Sequence, residues 1–297
     1  MGECEHAEGG FYCTLNGIRH FVRTAGVSSL PSADEDERGR TPLVLLHGFM
    51  QDSRIWAFVL DKLAKDRPVY ALDFAGFGKS DAPAGTLPYR VEETVAALRD
   101  LVDLVGDERG RVHLMGYSMG GRMALAFVQA QGERVASLIL ESAGLGADTP
   151  EARASVNARD AAWIERLRTC TVEEFVDYWE GLPLFATQKD MDPAARSLIR
   201  EIRLSCDVDV LSRCIQGAGQ HAMPYFAEAV RAFRMPILYV AGIQDEKYTK
   251  VALRLAARGD AVCSLLSCGH SPHLEQPASL CDHVRPFLAQ CEAVKAE

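Results

Sequence analysis

No stretch of this sequence approaches the roughly eighteen uninterrupted apolar residues that a membrane-spanning helix needs. A leader is missing too: the chain begins Met1-Gly2-Glu3-Cys4-Glu5-His6, neither a secretory signal nor a basic presequence, so a cytoplasmic protein is expected. Basic excess is absent. The formal charge of −9 leaves no footprint for nucleic acid, and any anion site must be built from local arginines against the net field. Cysteine is plentiful at nine residues, but it is scattered singly, odd in number and without C-x-x-C pairs. That excludes a disulfide framework and a zinc site and leaves reduced, packing thiols. The eight histidines contain no H-E-x-x-H or comparable ligand spacing, so no metal is implied and no cofactor is expected. Internal repeats and low-complexity segments are also lacking.

What is present is an alternation of strands and helices. Apolar positions alternate from Phe11 to Thr24 around Asn16-Gly17, the signature of a hairpin. A polar, acidic segment from Ser28 to Arg40 reads as a surface loop. Buried strands follow at Leu43 to Leu46, Val69 to Leu72, Arg111 to Met115 and Val135 to Leu140. They are separated by helices around Trp56 to Lys65, from Val91 to Val105 and from Gly120. Apolar runs spaced by amphipathic helices indicate a parallel sheet covered on both faces. The rhythm then breaks. From Asp148 to about Gly219 the chain is rich in helix formers: Pro150 to Leu167, Val172 to Trp179, Pro193 to Cys206 and Val208 to Gln216. It resumes with strands at Pro236 to Val240 and Ala261 to Leu266 and helices over Tyr248 to Ala257 and Pro277 to Gln290. The expected architecture is an α/β core of residues 1–147 and 220–297, interrupted after the sixth strand by a helical cap over 148–219.

Gly116-Tyr117-Ser118-Met119-Gly120 has the form G-x-S-x-G between a strand and a helix. Its glycines permit a sharp turn that lifts the Ser118 hydroxyl above the sheet. Such a serine needs a base, and the base needs a group that fixes its tautomer. Asp245 and His270 stand in that order, each just past a strand. His47-Gly48-Phe49 follows the first buried strand, so the backbone N–H of Phe49 pairs with that of Met119 as an oxyanion hole. The imidazole of His47 itself reads as packing beneath the loop. Asp73 to Ser80 is a Gly-rich loop without a phosphate-binding pattern.

Together these stretches resemble the α/β-hydrolase family over nearly the whole chain. The resemblance implies that fold, with Ser118, Asp245 and His270 as a catalytic triad, and it leaves the substrate open. Substrate is argued from Arg122, one turn past the serine, and from the cap arginines Arg153, Arg159, Arg200 and Arg203, whose planar forks suit carboxylates. Several stretches are similar to one branch, the 2-succinyl-6-hydroxy-2,4-cyclohexadiene-1-carboxylate synthases of menaquinone biosynthesis. They are Gly116 to Arg122, the cap run Glu174 to Phe185, Ile202-Arg203-Leu204, Gly217 to Gln220 and Gly242 to Tyr248. That resemblance implies a lyase that eliminates pyruvate from an enolpyruvyl-bearing polycarboxylate, with Tyr117, Arg122, Trp179 and Arg203 as substrate contacts. Where the branch carries a further cap arginine this chain has Val156, flanked by Arg153 and Arg159, and Arg153 is the expected replacement. Two alternatives stay open: a hydrolase of esters or carbon–carbon bonds using the same triad, and a ligand-binding receptor on this fold. A small-molecule partner is implied, neither nucleic acid nor membrane, with a monomer or small homo-oligomer.

Overall fold

The computed structural model describes residues 4–27 and 40–293. The loop expected over 28–40 therefore lies, Arg40 apart, outside the described residues. Strands β1 (Glu5–Ala7), β2 (Gly10–Leu15) and β3 (Ile18–Ala25) form an antiparallel ribbon. The turn between β2 and β3 has φ 46° at Asn16 and 76° at Gly17, the double positive φ that matches hairpin twist and that Asn-Gly supplies.

Six further strands complete the sheet: β4 (Leu43–Leu46), β5 (Val69–Leu72), β6 (Val112–Tyr117), β7 (Val135–Glu141), β8 (Ile237–Gly242) and β9 (Val262–Leu266). The order across the sheet is β1-β2-β3-β5-β4-β6-β7-β8-β9. β3 pairs antiparallel with β5, and every pair from β5 through β4 to β9 is parallel. Alternate residues of β4 feed opposite layers. Val44 and Leu46 join a core with Leu98, Leu101 and Phe127, whereas Leu43 and Leu45 join one with Leu60, Leu280 and Val284. One face is thus covered by α2 (Val91–Val105) and α3 (Met119–Gln131), the other by α1 (Leu60–Leu63) and α11 (Pro277–Ala293). Burial on both faces explains the uninterrupted apolar strands.

Five α-helices fall between β7 and β8, and the first four lie within 148–219, the span expected as a cap: α4 (Pro150–Leu167), α5 (Val172–Glu180), α6 (Pro193–Leu204) and α7 (Val208–Ala218). Their starts are marked by side chains that accept helix N–H groups, Thr149, Thr171, Asp192 and Asp207, with a reciprocal Thr171–Glu174 box at α5. The cap follows the seventh strand rather than the sixth, because the three-residue β1 adds a strand too short to leave a periodic signal. The helix expected over Trp56 to Lys65 is also corrected. Asp52 accepts the Arg54 N–H at 2.8 Å and winds Ser53–Trp56 into a 3-10 turn, so α1 keeps only four residues. Three further helices complete the described chain: the short α8 (Ala227–Ala232) and α10 (Pro272–Glu275), which were not legible, and the 13-residue α9 (Glu246–Arg258), which was.

Candidate active site

The carboxyl ends of the parallel strands carry the chemistry-bearing residues. β6 delivers Ser118, whose φ of 50° and ψ of −104° place it in a region that costs a non-glycine residue about 1 to 3 kcal/mol. The surrounding glycines make the turn possible. A Cβ at Gly116 would collide with the Gly120 carbonyl, and one at Gly120 with the Leu46 carbonyl, so neither position admits a side chain. The strained residue is pinned on both sides: its N–H donates to the Glu141 carbonyl at 2.8 Å, and its own carbonyl accepts the Arg122 N–H at 3.2 Å.

β8 delivers Asp245, the N-cap of α9, and β9 delivers His270. Asp245 Oδ2 lies 2.6 Å from His270 Nδ1, and His270 Nε2 lies 3.2 Å from Ser118 Oγ. With a carboxylate at Nδ1, that nitrogen carries the proton and Nε2 presents its lone pair to the serine hydroxyl. The three expected residues are therefore brought into one hydrogen-bonded line. His270 is also held through its backbone: Glu275 accepts the N–H of Gly269 at 2.8 Å and that of Ser271 at 3.0 Å, one on each side of it. Beside it Gln188 donates to the Ser271 hydroxyl at 3.0 Å, and Tyr117 shares a 2.8 Å hydrogen bond with the same oxygen. Burial pushes the Tyr117 phenol well above its usual value, so it stays protonated.

Phe49 and Met119, the expected backbone donors, lie past the carboxyl ends of β4 and β6. Met119 opens α3, and the first helical N–H groups have no partner within a helix. The Phe49 loop is fixed by Gln51, which accepts the Gly48 N–H at 3.0 Å, and by His47. His47 Nε2 accepts the Phe74 N–H at 3.1 Å while Nδ1 donates to the Gly48 carbonyl at 2.8 Å. Burial pushes its pKa down to about 4, so the ring is a neutral brace under the loop. Asp73 braces the opposite side, accepting the N–H groups of Ser53 at 2.6 Å and Lys79 at 2.9 Å.

A cavity of about 300 Å³ lies between these strand ends and the cap. Ser118 and His270 line it, together with Phe49 and Met119. So do Tyr117, Arg122 and Trp179, three of the expected substrate contacts. Arg122 is only 7% exposed and, among the described residues, forms no ion pair; burial lowers its pKa, with Tyr248 and Asp160 opposing the shift. A guanidinium desolvated without a carboxylate is costly to keep, and it marks a place where a ligand carboxylate would fit.

Two expected contacts do not line this cavity. Arg153 donates to the carbonyls of Gln220 and His221 at 3.1 and 3.2 Å, and Arg159 occupies the wall instead. Arg159 is held by Asp160 at 2.6 Å and lies over the Trp163 ring. Arg203 is buried one layer back, between Glu180 at 3.0 Å and Gln188 at 3.1 Å, with its guanidinium on Phe185. Phe185 separates it from the His270 ring, 5.8 Å away. Sequence reasoning missed Gln51, Phe185 and Lys247 as cavity residues. Phe185 and Lys247 both stood in runs similar to the synthase branch, whereas Gln51 had no such signal. Among the described residues no group of His, Cys, Asp and Glu is arranged to hold a metal ion.

Residues 43–283 match a profile described as the alpha/beta hydrolase family. A Bacillus subtilis protein that carries the name 2-succinyl-6-hydroxy-2,4-cyclohexadiene-1-carboxylate synthase provisionally is 31% identical over 258 residues, 86% of this chain and 93% of the relative. The synthase of that name from Salmonella paratyphi C is 29% identical over 252 residues, 84% of this chain and 94% of its own. Among solved structures, MenH from S. aureus superposes with a TM-score of 0.82 at 26% identity, covering 91% of this chain and 98% of that one. An enol-lactonase from Burkholderia xenovorans, TM-score 0.76 at 21% identity, shares the fold. The chain belongs to the alpha/beta hydrolase family.

Proposed function

We propose that this chain is a 2-succinyl-6-hydroxy-2,4-cyclohexadiene-1-carboxylate synthase, a carbon–oxygen lyase of menaquinone biosynthesis that acts in the cytoplasm on a small polycarboxylate and uses no cofactor. Residues 148–219 form the cap over a core of 1–147 and 220–297. Support comes from relatives of that name along more than four-fifths of the chain. The single observation that carries the substrate reading is Arg122, a buried guanidinium without a carboxylate at the wall of the Ser118 cavity.

The substrate is 2-succinyl-5-enolpyruvyl-6-hydroxy-3-cyclohexene-1-carboxylate. His270, oriented by Asp245, takes the Ser118 proton, and the Ser118 oxygen removes the ring proton alpha to the succinyl ketone. Negative charge develops on the ketone oxygen, within reach of the Phe49 and Met119 N–H donors, and each such donor is worth about two to three orders of magnitude in rate. The electron pair moves through the ring double bond and breaks the carbon–oxygen bond to the enolpyruvyl group. The departing enolate takes up a proton to become pyruvate, and the ring is left as the diene. Tyr117, Arg122, Trp179 and Arg203 serve the substrate, with Arg203 acting through Gln188 and Phe185. Of the flanking cap arginines, Arg159 rather than Arg153 meets the ligand.

The competing reading is a hydrolase that passes through an acyl-serine, which the shared fold of esterases and lactonases keeps in view. Intact-mass analysis during turnover separates the two. The lyase gives unmodified protein throughout, and an acyl adduct on Ser118 would replace it with the hydrolase.

A further inference from the structure

Three cations line the Ser118 cavity: Arg122, Arg159 and Lys247. Arg122 is buried at the start of α3 and Arg159 is fixed by Asp160, whereas Lys247 stands at the rim on the first turn of α9. Its ammonium lies 5.1 Å from the centroid of the Tyr248 ring, and that ring packs 4.9 Å from His270. One aromatic ring therefore separates the Lys247 charge from the imidazole expected to move the proton.

Lys247 also borders a second cavity, of about 490 Å³, behind the rim. The two cavities share Gln220 and Lys247 and no other lining residue. The remaining charges of the second cavity are matched. Lys250 pairs with Glu246 at 3.5 Å and Arg254 with Asp148 at 3.4 Å. Lys247 has no carboxylate within ion-pair distance among the described residues. An unmatched ammonium thus stands on the border between the reacting cavity and adjacent free space.

The substrate of the elimination carries three carboxylates: one on the ring, one on the succinyl arm and one on the enolpyruvyl group. Two stay with the ring product and one departs. A leaving fragment has to sit where there is room to leave, and of the three cations only Lys247 borders that room. We propose that Lys247 is the subsite for the enolpyruvyl carboxylate, an inference that rests on the lyase reading above. A compact ammonium suits this role better than a forked guanidinium, because it attracts the carboxylate without locking it in a bidentate grip.

The test compares wild type, Lys247→Ala and Lys247→Arg in two measurements: kcat/KM for the enolpyruvyl substrate, and competitive inhibition by the ring product, which has the ring and succinyl carboxylates but lacks the third. Lys247 is exposed, so both variants fold, which an unchanged melting midpoint verifies. Lys247→Ala lowers kcat/KM about tenfold, the loss of one charge-assisted hydrogen bond, and leaves the inhibition constant of the ring product within about twofold. Lys247→Arg recovers most of the loss. An unchanged kcat/KM, or equal weakening of substrate and ring product, overturns the assignment. If wild type releases no pyruvate, it is the lyase reading that fails, and unchanged inhibition by the ring product does not rescue it.

Discussion

Arg122 Nε points at the sulfur of Met223, 3.2 Å away, and that thioether is the only acceptor its side chain has among the described residues. A thioether is a weak acceptor and returns little of what it costs to strip water from a guanidinium. The free protein therefore carries a buried charge whose best partner is absent until a carboxylate arrives. Replacing Arg122 by methionine fills similar volume with apolar atoms beside Met223 and Cys214. The variant is expected to gain about 1 to 2 kcal/mol of stability. At the same time it loses about a hundredfold in kcat/KM, because a buried charged contact to substrate is gone. Calorimetry together with steady-state kinetics checks both signs, and a destabilised Arg122→Met would show that Arg122 is structural.

Ser118→Ala removes the oxygen that lies 3.2 Å from His270 Nε2 and leaves the cavity walls in place. Turnover is expected to fall about a thousandfold, as for loss of a general base. Binding of the ring product, measured by competition or by titration calorimetry, stays within about twofold. Undiminished turnover would remove Ser118 from the mechanism.

The Glu275 carboxylate grips the N–H groups on either side of His270, so its substitution acts on the imidazole without touching substrate. Glu275→Gln replaces one acceptor oxygen with an NH2 group that faces a backbone donor. A loss of about tenfold in kcat at constant KM is expected, since a misplaced base harms the chemical step and not binding. A rise in KM at unchanged kcat would contradict this positioning role.

Two buried groups give opposing pH dependences of stability. Burial holds the His47 pKa at about 4, against about 6.5 in the unfolded chain. Between those values the unfolded state binds the proton and the native state does not, so stability falls as pH drops through the window, by about 3 kcal/mol in all. Burial, and then the neighbouring Asp52, raise Asp73 to about 6, against about 3.9 unfolded. Here the native state holds the proton, so stability falls as pH rises from about 4 to 6, again by about 3 kcal/mol. The two largely cancel there. Asp73→Asn removes one side of the balance, and urea midpoints of the variant should climb from pH 4.5 to 6 relative to wild type. Parallel profiles would contradict the assignment.

Much of the architecture was legible because it is local. Strands such as Leu43–Leu46 are apolar without interruption, and the helix expected over Val172 to Trp179 is α5 to within a residue. The order of Ser118, Asp245 and His270 along the chain needed only strand ends to be located. Contacts set by tertiary packing were not legible. Arg153 and Arg159 sit on the same helix, and the choice between them depends on the segment at Gln220 and His221, whose carbonyls occupy Arg153. Arg203 looked like a substrate contact, yet Phe185 intervenes, because the 3-10 turn Pro183–Asp190 inserts that ring between α6 and His270. The helix expected over Trp56 to Lys65 broke for the same kind of reason: a side-chain cap at Asp52 outweighed periodicity.

Elimination instead of hydrolysis is the central claim, and it is tested most directly by incubating the purified chain with the enolpyruvyl substrate and quantifying pyruvate and the ring diene together. The account predicts one pyruvate per diene formed, at a rate lost in Ser118→Ala. Cleaved esters without pyruvate, or an acyl group retained on Ser118, would contradict it.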